Sequence, residues 1–393
     1  MRPAARLQSA IELLDAILVA AKDGGASADQ LAKSFFAERR YAGSKDRRAV
    51  RDLAWRAIRR FGEPPPSARS AFIALADEDA EIAALFDGSD YGPAAIGPQE
   101  QRAQGGPLPA WILPHLSILV DDSERPALLD RAPLDIRVNA LKATREEVVR
   151  QLPEAEILHQ SPYALRLPAG FPVDNHPLFA AGLAEIQDLG SQLIVDACAA
   201  VAGMTALDLC AGAGGKTLAL AAAMQNKGTL IACDTNRNRL QKLQPRQIRA
   251  GVSNIQTQLL DPGRETDMLS KYSGECDLVL IDAPCSGSGT WRRNPETRWR
   301  LNPQRLERVC ADQEKILNIG AELVASGGHL VYAVCSILAD EGRGQVNKFL
   351  DTHPDWRAVD PCVVAGRTEG AGILLTPNHD GSDGFFFARL KKL

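Results

Sequence analysis

The first 197 residues of this 393-residue chain contain no cysteine; the eight present lie at 198, 210, 233, 276, 285, 310, 335 and 362. A secreted disulfide scaffold does not confine its cysteines to one half of a long chain, so that class is excluded. No Cys-x-x-Cys pair occurs and the six histidines are scattered, which argues against a zinc site, and no metal is expected. Long apolar runs are missing too: none approaches the roughly 20 residues that span a bilayer. Residues 1–20 carry charges throughout and read as an amphipathic helix, not a signal peptide. The expectation is a soluble, cytoplasmic protein with no membrane partner. Internal repeats and low-complexity tracts are also lacking, and nothing in the sequence demands more than a monomer.

An excess of positive charge is absent overall. The net charge of −4 argues against indiscriminate nucleic-acid binding. The average hides local polarity, however. Residues 1–62 hold 13 Lys/Arg against 7 Asp/Glu, and residues 63–100 hold one Arg against 8 acids. Residues 237–249 contain five basic side chains and no acid; residues 292–308 contain six arginines and two glutamates. Patchy charge of this kind suits a protein that grips a nucleic-acid backbone with selected surfaces, or one with solvated helix faces.

What is present reads as three parts. Apolar positions recur at helical spacing in Ile11-Leu13-Leu14-Ile17-Leu18 and in Val50-Leu53-Ala54-Ile58. Pro64-Pro65-Pro66 breaks that pattern, and an acidic helix is expected over 76–86. The Gly- and Pro-rich segment 92–109 reads as a linker, so an all-helical domain is expected over 1–110. A short helix is expected within 110–131. Over 111–178 a small α+β, RRM-like module is expected, with strands at 134–139, 155–159 and 163–167 and a helix opened by Thr144, whose capping partner Glu147 lies three residues on. No RNP-like aromatic pair occurs in it. From 179 to 393 strands alternate with helices, and candidate strands are 205–210, 229–233, 254–259, 277–282 and 328–334. Such alternation implies a mostly parallel sheet covered on both faces, with ligands at the carboxyl ends of its strands.

A glycine-rich turn, Asp208-Leu209-Cys210-Ala211-Gly212-Ala213-Gly214-Gly215-Lys216, follows the first of these strands. It is not a phosphate loop, because position 210 is Cys where that motif needs Gly. It is not a dinucleotide fingerprint, because Thr217 stands at the third glycine. What fits is an acid at a strand end, then small residues, then a helix. Backbone there approaches a ligand closely, and the acid holds an amine or a cation. S-adenosylmethionine has both. Asp234 ends the next strand, where a carboxylate accepts ribose hydroxyls, and Asp261 follows the third, within reach of an adenine amine.

Two thiols stand at strand ends, Cys285 in Asp282-Ala283-Pro284-Cys285-Ser286-Gly287 and Cys335 in Val334-Cys335-Ser336. One chemistry needs both a methyl donor and such thiols. The C5 carbon of cytosine is a poor nucleophile until a thiolate adds to C6. An acid near N3, where Asp282 is placed, stabilises the developing charge. A second thiol can assist elimination. Spacing does not decide which cysteine attacks.

These residues resemble the RNA (cytosine-C5) methyltransferases of the Nop/Sun family, which include the bacterial RsmB-type 16S rRNA enzymes. The resemblance rests on Asp208 to Lys216, Asp282 to Gly287 and Tyr332 to Ser336. Residues 137–142, 187–192 and 383–386 also carry it, so it covers roughly 134–393. It implies a Rossmann-like class I methyltransferase domain. It implies Cys335 as nucleophile, Cys285 in product release, and S-adenosylmethionine contacts from Cys210, Ala211, Gly212, Ala213, Gly214, Gly215, Lys216, Asp234, Asp261 and Asp282. Val334 and Gly342 stand where the family pattern has Thr and Asn.

Directly after Cys285 comes Trp291-Arg292-Arg293-Asn294-Pro295-Glu296-Thr297-Arg298-Trp299-Arg300. Arginines beside tryptophans bind phosphates and stack on bases, so Trp291, Arg292, Arg293 and Arg298 are expected to contact RNA. The expected partner is RNA, 16S rRNA first and tRNA second. A ribosome assembly factor that keeps the fold without catalysis, and a small-molecule methyltransferase, are the alternatives; the first has no use for two cysteines, the second for neither the second cysteine nor the basic patches.

Overall fold

The computed structural model describes residues 1–173 and 176–393 and resolves two compact units. One comprises Met1–Leu116 with Thr290–Leu306, the other Ser117–Gly289 with Glu307–Leu393.

The first unit is helical. Its main helices are α1 (Pro3–Asp23), α2 (Ala28–Glu38), α3 (Ser44–Arg60) and α4 (Ala68–Glu78). The apolar stripe of α1, including Leu7, Leu14 and Ile17, is buried against Val50, Ala54 and Ile58 of α3. Gly24 ends α1 with φ 67°, the left-handed turn that glycine takes without penalty. The acidic helix expected at 76–86 is interrupted at Asp79: α4, capped where the Ser67 hydroxyl accepts from Ser70 N–H (3.1 Å), ends at Glu78, and a separate helical turn covers Ala80–Ala83, where Asp79 accepts from Glu81 N–H (2.8 Å). The helix expected within 110–131 is only a 3₁₀ turn, Ala110–His115, that contains Pro114, whose ring nitrogen has no proton to extend it.

Residues 290–306 enter this unit as an interior strap. Trp299 Nε1 donates to Phe61 O (2.9 Å). Arg298 is 1% exposed and donates to Ile58 O (2.7 Å), Pro295 O (2.9 Å) and Pro107 O. Ile58 and Phe61 end α3, where carbonyls have no intrahelical donor, so the strap supplies donors that the helix lacks. Arg300 donates to Gly25 O (3.0 Å) and Ala26 O (2.6 Å), while Glu296 accepts from Ala28 N–H at the start of α2 (3.1 Å). The expectation of RNA contact is corrected for Trp291, Arg292 and Arg298, all of which are buried. Burial first, then the Arg59 charge, pulls the Arg298 guanidinium down to about 9. Arg293 is half-buried.

The second unit holds two sheets. The smaller contains β1 (Leu134–Val138), β2 (Glu156–Ile157), β3 (Ala164–Leu167) and β4 (Ala184–Ile186) in the order β2-β3-β1-β4. Thr144 and Glu147 form the expected reciprocal cap. The boundary expected at 178 moves, because β4 pairs antiparallel with β1. Glu185 of β4 accepts from Arg246 (2.9 Å) and Arg249 (2.5 Å), so part of the basic stretch 237–249 is spent on fastening this module.

The larger sheet contains β5 (Thr205–Asp208), β6 (Thr229–Asp234), β7 (Ile255–Leu259), β8 (Cys276–Asp282), β9 (Val324–Val334), β10 (Trp356–Val359), β11 (Arg367–Glu369), β12 (Gly372–Leu375) and β13 (Phe385–Lys392). Its order is β11-β12-β13-β9-β8-β5-β6-β7, with β10 on β13. The stretch from β7 to β9 is parallel; β13 joins β9 antiparallel. Leu207, Ile231, Val279, Leu280 and Val331 are fully buried, as strands covered on both faces require. This is the Rossmann-like architecture expected of residues 179–393, extended by an antiparallel arm.

Candidate active site

The carboxyl ends of β5, β6, β8 and β9 converge on one edge of the sheet. Parallel register puts Asp208 beside Leu280 and Asp282 beside Ala333, so the loops after β8 and β9 leave the sheet side by side. Two backbone bonds continue the ladder into those loops, Leu209 N–H to Leu280 O and Ala283 N–H to Ala333 O, both 2.9 Å.

The loop after β5 is built for close approach to a ligand. Gly212 and Gly214 have φ of 56° and 82°. A Cβ on Gly212 would lie 2.4 Å from Arg239 Nη2, and one on Gly214 2.1 Å from Leu243 Cδ1, so a larger residue would have to displace those side chains and would be strained in the left-handed backbone conformation. Gly214 then starts helix α5 (Gly215–Ala223), whose Thr217 hydroxyl donates to Asp208 Oδ2 (2.7 Å). Among the described residues Asp208 Oδ1 is buried with no hydrogen-bond partner, which leaves an acceptor free for a ligand. Burial, with the nearby Asp282 charge and against the Thr217 bond, pushes Asp208 up to about 7. Asp234 accepts from Gly212 N–H (2.7 Å) and Asn236 N–H (2.6 Å). A carboxylate offers about four acceptor sites, which leaves two for ribose hydroxyls. Leu260 N–H bonds to Asp234 O (3.0 Å), which brings the exposed Asp261 to the same edge.

Lys216 is nearly buried and its ammonium lies 2.7 Å from Asp282 Oδ2 and 5.6 Å from the Phe385 ring. Desolvation opposes its charge, but the Asp282 charge and hydrogen bond outweigh that, and the net shift is upward. Lys216 thus stays cationic and holds Asp282 in place.

Cys285 and Cys335 meet across the two loops with their sulfurs 3.1 Å apart, both half-buried. The hydrogen bond with Cys335, then burial, then the Cys335 and Glu341 charges raise Cys285 well above the usual thiol range. Burial pushes Cys276 and Cys310 up to about 12 and raises Cys198 and Cys233 as well. Cys198, Cys233 and Cys276 are small core residues.

Glycine contacts lock the thiol loops to a third loop. Gly289 N–H donates to Cys335 O (3.0 Å), and Gly384 N–H donates to Gly289 O (2.8 Å). A Cβ on Gly289 would lie 1.8 Å from Gly384 O. Asp383 N–H in that third loop reaches Asp188 (3.1 Å). Arg137, buried, donates to Gln187 and to Gly215 O (3.0 Å), so the family-like segments 137–142, 187–192 and 383–386 frame the same edge.

The structure therefore brings together Asp208, Cys210 to Lys216, Asp234, Asp261, Asp282, Cys285 and Cys335. It does not present Trp291, Arg292 or Arg298 to a ligand. Sequence reasoning matched Glu341 to the Glu of the family's Glu-Asn pattern but gave no role to it or to the two serines, Ser286 and Ser336, that hydrogen-bond to it. The repeated Cys-Ser pair was the available signal.

A family model described as 16S rRNA methyltransferase RsmB/F matches residues 196–391. The ribosomal RNA small subunit methyltransferase B of Shewanella oneidensis is 31% identical over 291 residues, covering 72% of this chain and 67% of that protein. The chain belongs to the RsmB/F family. A probable ribosomal RNA small subunit methyltransferase B of Synechocystis is 35% identical over 272 residues, 66% of this chain. The matched region spans 60% of that relative's length. Among solved structures, a methyltransferase homolog protein from Pyrococcus horikoshii superposes with a TM-score of 0.63 at 26% identity, covering 71% of this chain and 92% of that one. The methyl donor of RsmB/F proteins is S-adenosylmethionine. The unsatisfied Asp208 oxygen, the glycine turn and Asp234 fit its amine, its close-packed chain and its ribose.

Proposed function

We propose that this protein transfers a methyl group from S-adenosylmethionine to C5 of a cytosine in RNA, with 16S rRNA as its substrate. The observation that carries this reading is the pair of half-buried sulfurs 3.1 Å apart beside the methyl-donor loop. In this reading the Cys335 thiolate adds to C6, and the ring electrons move toward N3. The ion pair of Asp282 and Lys216, 2.7 Å apart, limits the charge that builds at N3: a proton passes from the Lys216 ammonium through the Asp282 carboxyl to N3 and returns when the ring is restored. S-adenosylmethionine, when bound, supplies the methyl group as the electrophile for C5. Loss of the C5 proton to a solvent water then restores the C5–C6 double bond, breaks the S–C6 bond and releases the Cys335 sulfur as thiolate. Cys285, held as a thiol by its surroundings, donates to the departing Cys335 sulfur. The resemblance supports this order of roles, and the upward shift of Cys285 agrees with it.

Membership of the family supports rRNA as substrate. Among the described residues no helix is long and apolar enough to cross a membrane. The test is incubation with labelled S-adenosylmethionine and unmodified small-subunit rRNA, followed by nucleoside analysis. Label in 5-methylcytosine of the rRNA is expected. Label in tRNA but not rRNA would keep the chemistry and move the substrate; label in neither, with cofactor bound, would favour an assembly factor.

A further inference from the structure

The two thiols come from separate loops, so something must set the gap between them. Each is followed by a serine, and both serine hydroxyls, Ser286 Oγ and Ser336 Oγ, donate to the same oxygen of Glu341. The other oxygen accepts from Ser286 N–H (2.7 Å) and from Gln313 Nε2 (3.0 Å). Gln313 also donates to Pro284 O (2.9 Å), which ties down the residue before Cys285. The Tyr332 hydroxyl donates to Glu341 O (2.8 Å) and fixes the backbone of the clasp. Ser288 Oγ lies 2.9 Å from Ser336 Oγ and accepts from Ile337 N–H (3.1 Å), a second stitch between the same loops.

Glu341 is fully buried. A buried carboxylate is costly unless its acceptor sites are filled. Four donors converge here, and a carboxylate is the side chain with about four acceptor sites and no donor. A neutral amide would turn two of those sites into donors. The chemistry of the cluster thus calls for Glu at a position that core packing alone would fill with an apolar residue.

We propose that Glu341 is a positioning residue that clasps the serine after each cysteine and so sets the Cys285–Cys335 separation used in the two-thiol reaction. This rests on the methyl-transfer reading above. Glu341 touches neither reacting carbon; it acts through the two loops. Its charge also faces Cys285, together with Cys335 and the buried Tyr332, while Cys310 faces Glu341 from the neighbouring helix.

The experiment compares the full-length protein with Glu341→Gln, Glu341→Asp and Glu341→Ala. The first readout is independent of methyl transfer. Diamide oxidises two neighbouring thiols to a disulfide; the thiols lose two protons and two electrons, and the diazene takes them up as a hydrazine. The initial rate of the Cys285–Cys335 cross-link is followed by peptide mass. The second readout is the single-turnover methyl-transfer rate, measured beside KM for RNA, cofactor affinity and melting temperature.

Glu341→Gln is expected to slow cross-linking about 10-fold and single turnover about 100-fold, the scale of loss from a 1 Å misplacement, with KM and cofactor affinity unchanged. Glu341→Asp, which keeps the carboxylate, is expected to recover part of both rates. Wild-type cross-linking in Glu341→Gln would overturn the proposal. So would equal losses in Glu341→Gln and Glu341→Asp that follow melting temperature alone, the result of a purely structural role. If Glu341→Ala does not fold, the Gln and Asp variants still decide. If the wild type methylates no RNA, the cross-linking series still tests the clasp, so the two readings fail separately.

Discussion

Two neighbouring stretches of this chain, 282–288 and 291–300, look equally chemical in the sequence and end up with opposite roles. The first places Asp282 and Cys285 half-buried at a sheet edge, with a sulfur facing a sulfur. The second hides Trp291, Arg292 and Arg298, and spends the hydrogen bonds of Arg298 on three backbone carbonyls. What separates them is where the polar capacity goes. A side chain whose donors are consumed inside the protein is scaffold; one that faces another reactive group at an accessible edge is available for chemistry.

Cys335→Ala is expected to lower methyl transfer by on the order of 10³-fold or more while leaving the melting temperature within a few degrees. Thermal scans beside the transfer assay check it; equal loss of both would make Cys335 a core residue like Cys276. Gly289→Ala comes next. Its added Cβ would lie 1.8 Å from Gly384 O, so the thiol loops must shift. Single turnover should fall by about 100-fold while cofactor binding holds, read by rapid quench and calorimetry.

Arg298→Ala sharpens the other side. It removes the donor to Ile58 O at the end of α3, to Pro107 O and to Pro295 O and is expected to cost about 3 kcal/mol in denaturant unfolding. RNA affinity of the folded fraction should not change. A weaker affinity at unchanged stability would restore the arginine to RNA binding.

The smallest effect is at Asp208. Its carboxyl is raised from 3.8 to about 7, so the native state holds a proton that the unfolded chain releases. That preference contributes stability below pH 4 which is lost as pH rises toward 7. Asp208→Asn should therefore raise the melting temperature of the cofactor-free protein more at pH 8 than at pH 4. A gain on the order of 1 kcal/mol, or 2–4 °C, is expected from paired scans.

The parallel core was legible because β5, β6, β8 and the last five residues of β9 are apolar runs, and each ends in or leads straight into a residue with chemistry. Asp208, Asp234, Asp282, Cys285 and Cys335 all followed from that pattern. The antiparallel arm was not legible: β10, β11 and β12 have three or four residues each and lead into no reactive residue, and β13 begins apolar and ends charged with no helix after it to mark an alternation. The three-residue β4 escaped for the same reason. The role of the strap was invisible because the partners of Arg298 lie 191 and 240 residues away and are backbone carbonyls, which carry no residue signature. Glu341 is similar. Its partners are the residues beside the thiols, not the thiols themselves, so attention to reactive groups passed over it.

The most direct test of the central claim is a gel assay for covalent RNA adducts, with rRNA and S-adenosylmethionine present, in Cys285→Ala and in Cys335→Ala. The account predicts a stalled, denaturation-resistant adduct in Cys285→Ala, linked through Cys335 to C6, and none in Cys335→Ala. An adduct in Cys335→Ala and not in Cys285→Ala would reverse the two roles and contradict it.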